Sequence, residues 1–154
     1  MTLHEILERH SGNAATVLQY AITTKQIVDS AKAPGFSVES WNPLRDLIAT
    51  DDFVRVGNFK EVMDWAEYAA FLTNWAPNAD WDCTFKRVTE KGGVVFLELE
   101  ERSSVGDFHS VVNSLSVYEF TEEGKVRRID VYLQMALPSA DVLKGYEGVD
   151  ISQS

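Results

Sequence analysis

The sequence predicts an α+β fold in which helices come first and a curved antiparallel sheet follows. Apolar residues recur at helical spacing in the first half, and three strand-like runs occupy the last third, at residues 94–102, 108–120 and 125–135. Valine, leucine and tyrosine dominate these runs, and Gly124 supplies the positive φ that the tight turn between the last two needs. A chain of this size and order is expected to close a small cone around a pocket.

The chain begins with helical segments. Residues 1–11 predict a short arm and residues 14–33 predict a long helix, with apolar positions at helical spacing. This helix ends before Pro34, because proline disfavours helical backbone in the residue that precedes it. Residues 41–49 predict a short second helix, with Asn42 as its candidate N-cap.

A short strand and a third helix lead into the main sheet. Residues 53–56 alternate like a strand, and residues 59–76 carry an apolar stripe at helical spacing. Residues 81–89 then open the sheet, and glycines make the next turn. The predicted order of elements is therefore α-α-β-α-β-β-β-β.

Length and charge limit the classes of function. The chain has 154 residues, which predicts a single domain over 1–154 with its core at about 14–136 and a C-terminal tail at 137–154. Its net charge of -10 argues against a nucleic-acid partner, since phosphate binding needs clustered lysine and arginine. The same charge would repel anionic membrane surfaces. We therefore expect neither nucleic acid nor membrane as a partner.

The sequence gives no sign of a disulfide, metal or cofactor. Cys83 is the single cysteine, which rules out an internal disulfide and a cysteine-built metal site. The histidines His4, His10 and His109 are too scattered for a metal motif, and no phosphate loop or dinucleotide fingerprint appears. No signal peptide is visible, and no apolar run approaches the roughly 20 residues needed to span a bilayer. We expect a cofactor-free protein in a reducing cytoplasm.

Two motifs, in this order along the chain, carry a family resemblance. Residues 41–52 read WNPLRDLIATDD, and residues 117–126 read VYEFTEEGKV. They resemble a recurrent second helix (Asp-Trp-x-x-Leu-x-x-Leu-x-Ala-x-Asp) and a late hairpin (valine, aromatic, x, phenylalanine, then Gly-Lys-Ile) of the nuclear-transport-factor-2-like (NTF2-like) superfamily. The chain looks most like its SnoaL-like and scytalone-dehydratase-like branch. The resemblance covers roughly residues 14–135 and implies a cone-shaped fold, with a curved antiparallel sheet wrapped on three helices.

Strand periodicity divides the last two strands into two faces. In the final strand Ile129, Val131 and Leu133 share one side. The resemblance to ketosteroid isomerases places this side in the pocket, together with Val112, Ser114, Ser116 and Tyr118 of the preceding strand. The opposite face is unusually apolar and includes Leu115. Because members of the superfamily commonly pack this face against a second subunit, the resemblance implies a homodimer through the convex side of the sheet. A register shifted by one residue would exchange the two faces.

The predicted pocket has apolar walls and a few polar points. The substrate-binding set consists of Val54, Val56, Trp65, Leu97, Leu99, Ser114, Ser116, Ile129, Val131 and Leu133. The candidate catalytic set consists of Tyr20, Tyr118, Glu101 and His109. Such a pocket suits a small apolar molecule that bears one or two oxygens.

The known catalytic sets of the superfamily are incomplete in this chain. Ser116 occupies the position of the protonated aspartate of ketosteroid isomerases, and Val56 lies near the position of their general base. Val131 stands where epoxide hydrolases have their last-strand aspartate. Scytalone dehydratases use two histidines, and here the sheet contains His109 alone. The resemblance therefore predicts the fold more specifically than the reaction.

Two functions remain as hypotheses. The first is a cofactor-free lyase or isomerase that resembles the SnoaL-like cyclases, in which Tyr20 and Tyr118 hold a carbonyl oxygen and Glu101 or His109 moves a proton. The alternative for the tyrosines is a core position, and for His109 a surface or interface position. The second is a non-catalytic module that binds a small molecule or associates through its sheet.

Overall fold

The computed structural model describes residues 1–136 and residue 148. The helices are α1 (Leu3–Leu7), α2 (Gly12–Ser30) and α3 (Trp65–Trp75), with 3-10 segments at Val38–Asp46 and Ala76–Asn78. The strands are β1 (Val54–Val56), β2 (Val62–Met63), β3 (Ala79–Lys91), β4 (Val94–Val105), β5 (Phe108–Phe120) and β6 (Val126–Met135). The predicted tail at 137–154 lies outside the described residues, apart from residue 148.

Six strands form one curved sheet in the order β2-β1-β6-β5-β4-β3. Helices α2 and α3 pack against it, and the first 3-10 segment packs against both helices, so the predicted α+β class is confirmed. The sheet is mixed rather than antiparallel throughout, because β6 returns beside β1 in the same direction. This parallel pair corrects the prediction. It joins the short N-terminal hairpin β1–β2 to the long C-terminal strands.

The alternation of apolar residues sets the faces of strands β4, β5 and β6. In β4 the residues Val95, Leu97 and Leu99 are buried, while the residues between them are half-exposed. Ser116 of β5 lies opposite Leu97 and also opposite Val131 of β6, so the three share a face. The predicted register of β5 and β6 is therefore the observed one.

Trp41 connects the first 3-10 segment to α3. Its side chain is completely buried, and its Nε1–H donates to Thr73 Oγ1 at 3.1 Å. The predicted helix at 41–49 is wrong in type and bounds. The segment starts at Val38, because Ser37 N–H donates to Ser40 Oγ at 3.1 Å and begins the turn earlier, so Asn42 lies inside it and is not its cap.

Helix α3 begins six residues later than the predicted start at residue 59. Asp64 is its N-cap: the Asp64 carboxylate accepts from Glu67 N–H at 2.8 Å, and Asp64 N–H donates to the Glu67 carboxylate at 3.1 Å. This reciprocal pair is a capping box, which satisfies two backbone donors at once. The residues before it form the β1–β2 hairpin, whose turn contains Lys60 at a φ of 64°.

A β-bulge divides the edge strand β3. Phe85 pairs with Leu99 and Arg87 pairs with Glu98, so Lys86 is the extra residue. Beyond the bulge the inward positions therefore change from odd-numbered to even-numbered residues. One consequence is that a Glu90 carboxylate oxygen accepts from the backbone N–H of Ala14, at 3.3 Å, in the first turn of α2.

Replacement of Asp64 by alanine tests whether the capping box fixes the start of α3. We expect Asp64→Ala to lower the free energy of unfolding by about 1 kcal/mol, since the side-chain acceptor for the backbone N–H of Glu67 is lost. Asp64→Ser, which keeps an acceptor at the cap, should lose less than half of that. The measurement is urea denaturation followed by circular dichroism. Equal stability of the wild type and the alanine variant would contradict the assignment.

Candidate functional site

The concave side of the sheet and the helices that cover it enclose a cavity with two connected parts. The inner part has a volume of about 100 Å³, and the outer part, which forms the mouth, has about 280 Å³. The inner part is lined by Tyr20, Ala21, Thr24, Arg55, Tyr68, Trp81, Leu97, Leu99, Glu101, Ser116, Tyr118, Ile129 and Val131. Arg55, Tyr68, Trp81 and Glu101 line both parts and so mark the passage between them.

Arg55 enters the cavity because of how β1 is paired. It lies opposite Ile129 of β6, which faces the cavity, and paired residues share a face. Its neighbours Val54 and Val56 lie opposite Arg128 and Asp130, on the other face of the sheet. We therefore correct the predicted placement of Val54 and Val56 in the pocket walls.

The Arg55 guanidinium is a largely buried cation at the passage between the two parts of the cavity. Its Cζ lies 4.6 Å from the centroid of the Tyr68 ring, which is within the range of a cation–π contact. Within the part of the chain that the structure describes, it forms no ion pair. Burial acts to lower the pKa of Arg55, but the acidic groups of Tyr68, Tyr20 and Glu61 outweigh it and hold this pKa above its ordinary value. The side chain is therefore charged.

Tyr20 and Tyr118 form an edge-to-face pair at the inner end of the cavity. Their ring centroids are 6.0 Å apart, and the residues are 6% and 5% exposed. Burial is the largest cause that raises the pKa of both phenols, and the acidic group of Tyr68 adds to it. Both phenols therefore stay neutral around physiological pH and keep an O–H that can donate to a ligand oxygen.

Glu101 is the one carboxylate among the described residues that line the cavity. It follows Leu97 and Leu99 on the inward face of β4, as its position in the alternation predicts. A carboxylate oxygen of Glu101 accepts from Trp81 Nε1–H at 2.8 Å, across the β3–β4 pair. This hydrogen bond orients the carboxyl group and leaves its second oxygen for a ligand.

The other predicted pocket residues divide into two groups. Leu97, Leu99, Ser116, Ile129 and Val131 line the inner cavity, and Leu133 lines the outer part. Two more do not reach the lining: Ser114 is buried on the inward face of β5, and Trp65 is buried in an aromatic cluster with Phe53 and Tyr68.

His109 is distant from the candidate catalytic groups. It is exposed near the β4–β5 turn, at the opposite end of β5 from Tyr118. Its Nδ1 lies 2.7 Å from Ser104 Oγ, and its pairing with Ser104 places it on the outward face. The structure thus brings Tyr20, Tyr118 and Glu101 to one cavity and leaves His109 outside it.

Sequence reasoning missed several cavity residues, among them Arg55, Tyr68 and Trp81, which line both parts of the cavity. Arg55 was not identified because it lies in a run of three residues, VRV, whose two valines were predicted to face the pocket. Tyr68 follows Trp65 by three positions on α3, a spacing that places both on one helix face. Trp81 is the first residue of the strand predicted at 81–89, and no role in the pocket was predicted for it.

Two further properties of the described residues concern metal and membrane. Over residues 1–136, no three histidine, cysteine, aspartate or glutamate side chains come together in an arrangement that could hold a metal ion. No helix in that part of the chain is both long and apolar enough to cross a membrane.

Comparisons with known proteins support the fold. No family model matches the sequence, and no curated protein does. Solved structures do match. A putative SnoaL-like polyketide cyclase from Shewanella putrefaciens CN-32 has a TM-score of 0.58 at 8% identity, over 79% of this chain and 79% of that one.

Two other structures give similar values. An NTF2-like protein of unknown function from Pseudomonas aeruginosa has a TM-score of 0.55 at 16% identity, over 77% of this chain and 98% of that one. An LEH-like epoxide hydrolase from M. tuberculosis has a TM-score of 0.53 at 13% identity, over 73% and 84% of the two chains. The chain therefore has the NTF2-like fold that its motifs predicted. Identities this low extend the likeness to the fold alone.

Alkaline unfolding tests the burial of the two phenols. A pKa raised in the folded state adds stability below the ordinary pKa, and this stability is lost as the pH rises above about 10. Each buried phenol contributes a slope of up to about 1.4 kcal/mol per pH unit. Tyr118→Phe should therefore make the free energy of unfolding fall less steeply above this pH. Urea denaturation along a pH series measures it, and an unchanged slope would place Tyr118 in solvent.

Proposed function

We propose that the cavity binds a small apolar molecule that bears a carbonyl oxygen, and that it catalyses a cofactor-free proton transfer next to that carbonyl. The protein would then be a lyase or an isomerase. The main support for this proposal is that the Glu101 carboxylate and the Tyr20 and Tyr118 phenols line one cavity. The remaining walls of this cavity are largely apolar. An acid–base group and oxygen-directed donors are the minimum set for such chemistry.

Each group has a distinct role in the proposed reaction. Glu101 removes a proton from the carbon next to the carbonyl, and the electron pair of that C–H bond moves towards the oxygen. The phenols of Tyr20 and Tyr118 donate hydrogen bonds to the oxygen as negative charge develops there. In an isomerase the carboxyl of Glu101 returns the proton to another carbon. In a lyase the electron pair expels a leaving group instead.

Glu101 is a better candidate than His109 for the proton-transfer role. A catalytic base must reach the proton that it removes, directly or through one water molecule. Glu101 lines both parts of the cavity, whereas His109 is exposed on the outward face. Two fold relatives, a SnoaL-like polyketide cyclase and an LEH-like epoxide hydrolase, are named for reactions of small organic molecules, which agrees with this proposal.

Exchange of carbon-bound protons tests the proposal without knowledge of the natural substrate. The planar ketone β-tetralone is incubated with the protein in deuterated buffer, and loss of its α-proton signals is followed by NMR. We expect the wild type to accelerate exchange, Glu101→Gln to abolish the acceleration, and Tyr118→Phe to reduce it at least tenfold, in line with the loss of one oxyanion donor.

His109→Gln serves as the control for these variants, because His109 lies outside the cavity, and its exchange rate should equal that of the wild type. Thermal unfolding establishes that each variant is folded. Exchange by the wild type at the rate of the Glu101→Gln variant would contradict the catalytic proposal and favour a binding protein.

A second candidate function, association through the convex face of the sheet, is supported by its exposed apolar residues. Val111 and Tyr132 are each 58% exposed on this face, and Leu115 lies directly opposite Tyr132 in the β5–β6 pair. Arg87 and Glu98 form an ion pair on the neighbouring strands, so the apolar area has a charged border. This arrangement suits a homodimer interface with a polar rim.

A charge placed in the centre of this face should break the proposed dimer. Leu115→Glu buries an unpaired carboxylate in the interface, which is strongly unfavourable. We expect a wild-type dimer and a monomeric variant in sedimentation velocity experiments. Gln26→Glu, which adds the same charge at an exposed position on α2, is the matched control and should remain dimeric. A monomeric wild type would reject the interface.

We also propose a reducing, cytoplasmic setting. Cys83 is a free, half-buried thiol, and such thiols persist where disulfides are kept reduced. Burial, with Glu101 and Asp82 nearby, raises the pKa of this thiol to about 11, so it stays protonated and has little tendency to react.

A further inference from the structure

Arg55 indicates the chemical class of the ligand. We propose that the natural ligand is a monoanion, an apolar molecule whose carboxylate is bound by the Arg55 guanidinium at the passage between the inner and outer parts of the cavity. This inference rests on the proposed function in that it uses the same cavity, and it adds a permanent negative charge to the expected ligand.

The position of Arg55 is fixed by the sheet. Its strand β1 is paired on both sides, with Met63 of β2 and with Ile129 of β6. The backbone of this residue therefore has little freedom to carry the side chain out of the cavity. A binding group held by a paired strand is more precisely placed than one on a loop.

The contact with Tyr68 holds the guanidinium while leaving its hydrogen-bonding capacity free. Tyr68 is itself packed between Phe53 and Phe71, with ring centroids 6.3 Å and 6.5 Å away and nearly parallel planes. A guanidinium that contacts a ring through its face keeps its in-plane N–H groups, and this planar fork matches the two oxygens of a carboxylate. No side-chain hydrogen bond from Arg55 to another of the described residues uses these donors.

A largely buried cation such as Arg55 destabilises the ligand-free protein unless another interaction offsets the free-energy cost of its burial. A largely buried charge without a counter-ion is unfavourable, and a bound anion removes that cost. Among the described residues, neither Glu61 nor Glu101 forms an ion pair with Arg55: Glu61 accepts from the backbone N–H of Phe59 at 2.9 Å, and Glu101 accepts from Trp81 Nε1–H at 2.8 Å. The open position beside Arg55 is therefore suited to a carboxylate that comes from outside.

Glu101 limits the charge of the ligand. Arg55 and Glu101 line the same passage, so a carboxylate bound to Arg55 stands near one fixed negative charge. A second negative charge on the ligand would be repelled by Glu101 without a further cation to balance it. A ligand with one carboxylate on an apolar body pairs with Arg55 without adding a second negative charge near Glu101, and Leu97, Val131 and the outer wall line the space for that body.

A different role for Arg55 would be to stabilise the oxygen of the reacting carbonyl. Tyr20 and Tyr118 already provide two donors for an oxygen whose charge develops only during reaction. A permanent cation is matched better by a permanent anion, because its burial must be offset before any reaction begins. Binding of a stable anion in the absence of any reaction therefore distinguishes the two roles of Arg55.

The experiment compares two probes of nearly equal shape, trans-cinnamate and its neutral counterpart cinnamamide. Binding of each to the full-length protein is measured by isothermal titration calorimetry. We expect the wild type to bind cinnamate at least tenfold more tightly, which corresponds to about 1.4 kcal/mol. Arg55→Met should reduce this preference to less than twofold, while Arg55→Lys should keep part of it.

Arg45→Met is the matched control. Arg45 is exposed on the first 3-10 segment, and its replacement removes the same single charge from the protein. The preference for cinnamate should therefore persist in Arg45→Met. Loss of the preference in both variants would point to the overall charge of the protein and overturn the assignment to Arg55. A folded Arg55→Met protein is verified by thermal unfolding, and Arg55→Lys provides the second variant.

The outcome is distinct from that of the proton-exchange test. Glu101→Gln should lose proton exchange and still prefer cinnamate, since it lacks the base but keeps the cation. Equal binding of the two probes by the wild type, or no binding of either, would reject the proposal whatever the exchange data show. If Arg55→Met slowed exchange of the neutral ketone without any cinnamate preference in the wild type, Arg55 would serve the reacting oxygen instead.

Discussion

The parallel pairing of β1 with β6 is the constraint on which the rest of the structure depends. It joins the N-terminal half of the chain to the long hairpins, and it brings Arg55 opposite Ile129. A bridge from Ile48 to Val126 and reciprocal backbone hydrogen bonds at 2.8 Å and 2.9 Å extend the connection towards the first 3-10 segment. Helix α3, which begins soon after β1, is thereby held over the concave face, where it supplies Tyr68.

The fold was predictable where the pattern in the sequence is long. Strands β4, β5 and β6 have ten or more residues each, so their alternation determined both faces and placed Leu97, Ser116 and Val131 together. Short or irregular elements gave no such pattern. Strand β2 has two residues, and the predicted third helix ran through it because Asp64, the actual N-cap, was not recognised as half of a capping box.

The residues of the candidate site were also predictable where they lie on long elements and not where they lie on short ones. Tyr118 and Glu101 lie on long strands and could be placed from parity, and Tyr20 lies on the longest helix. Arg55 could not be placed, because three residues of alternation fit either face and the choice depends on a parallel partner more than 70 residues away in the sequence. Burial of a cation also runs against the usual preference of arginine for the surface, so hydrophobicity pointed to the wrong residues. Tertiary contact alone determines this position.

The bulge at Lys86 determines which residues in the second half of β3 face the helices. If Lys86 paired regularly with β4 instead of forming the bulge, every residue beyond it would shift by one position and that half of the strand would turn over. Arg87 and Thr89 would then face the helices, and Glu90 would lose its contact with the first turn of α2. Loss of Lys86 alone would preserve both faces of β3 and remove only the bulge, whereas an added residue without a second bulge would reverse the strand beyond it.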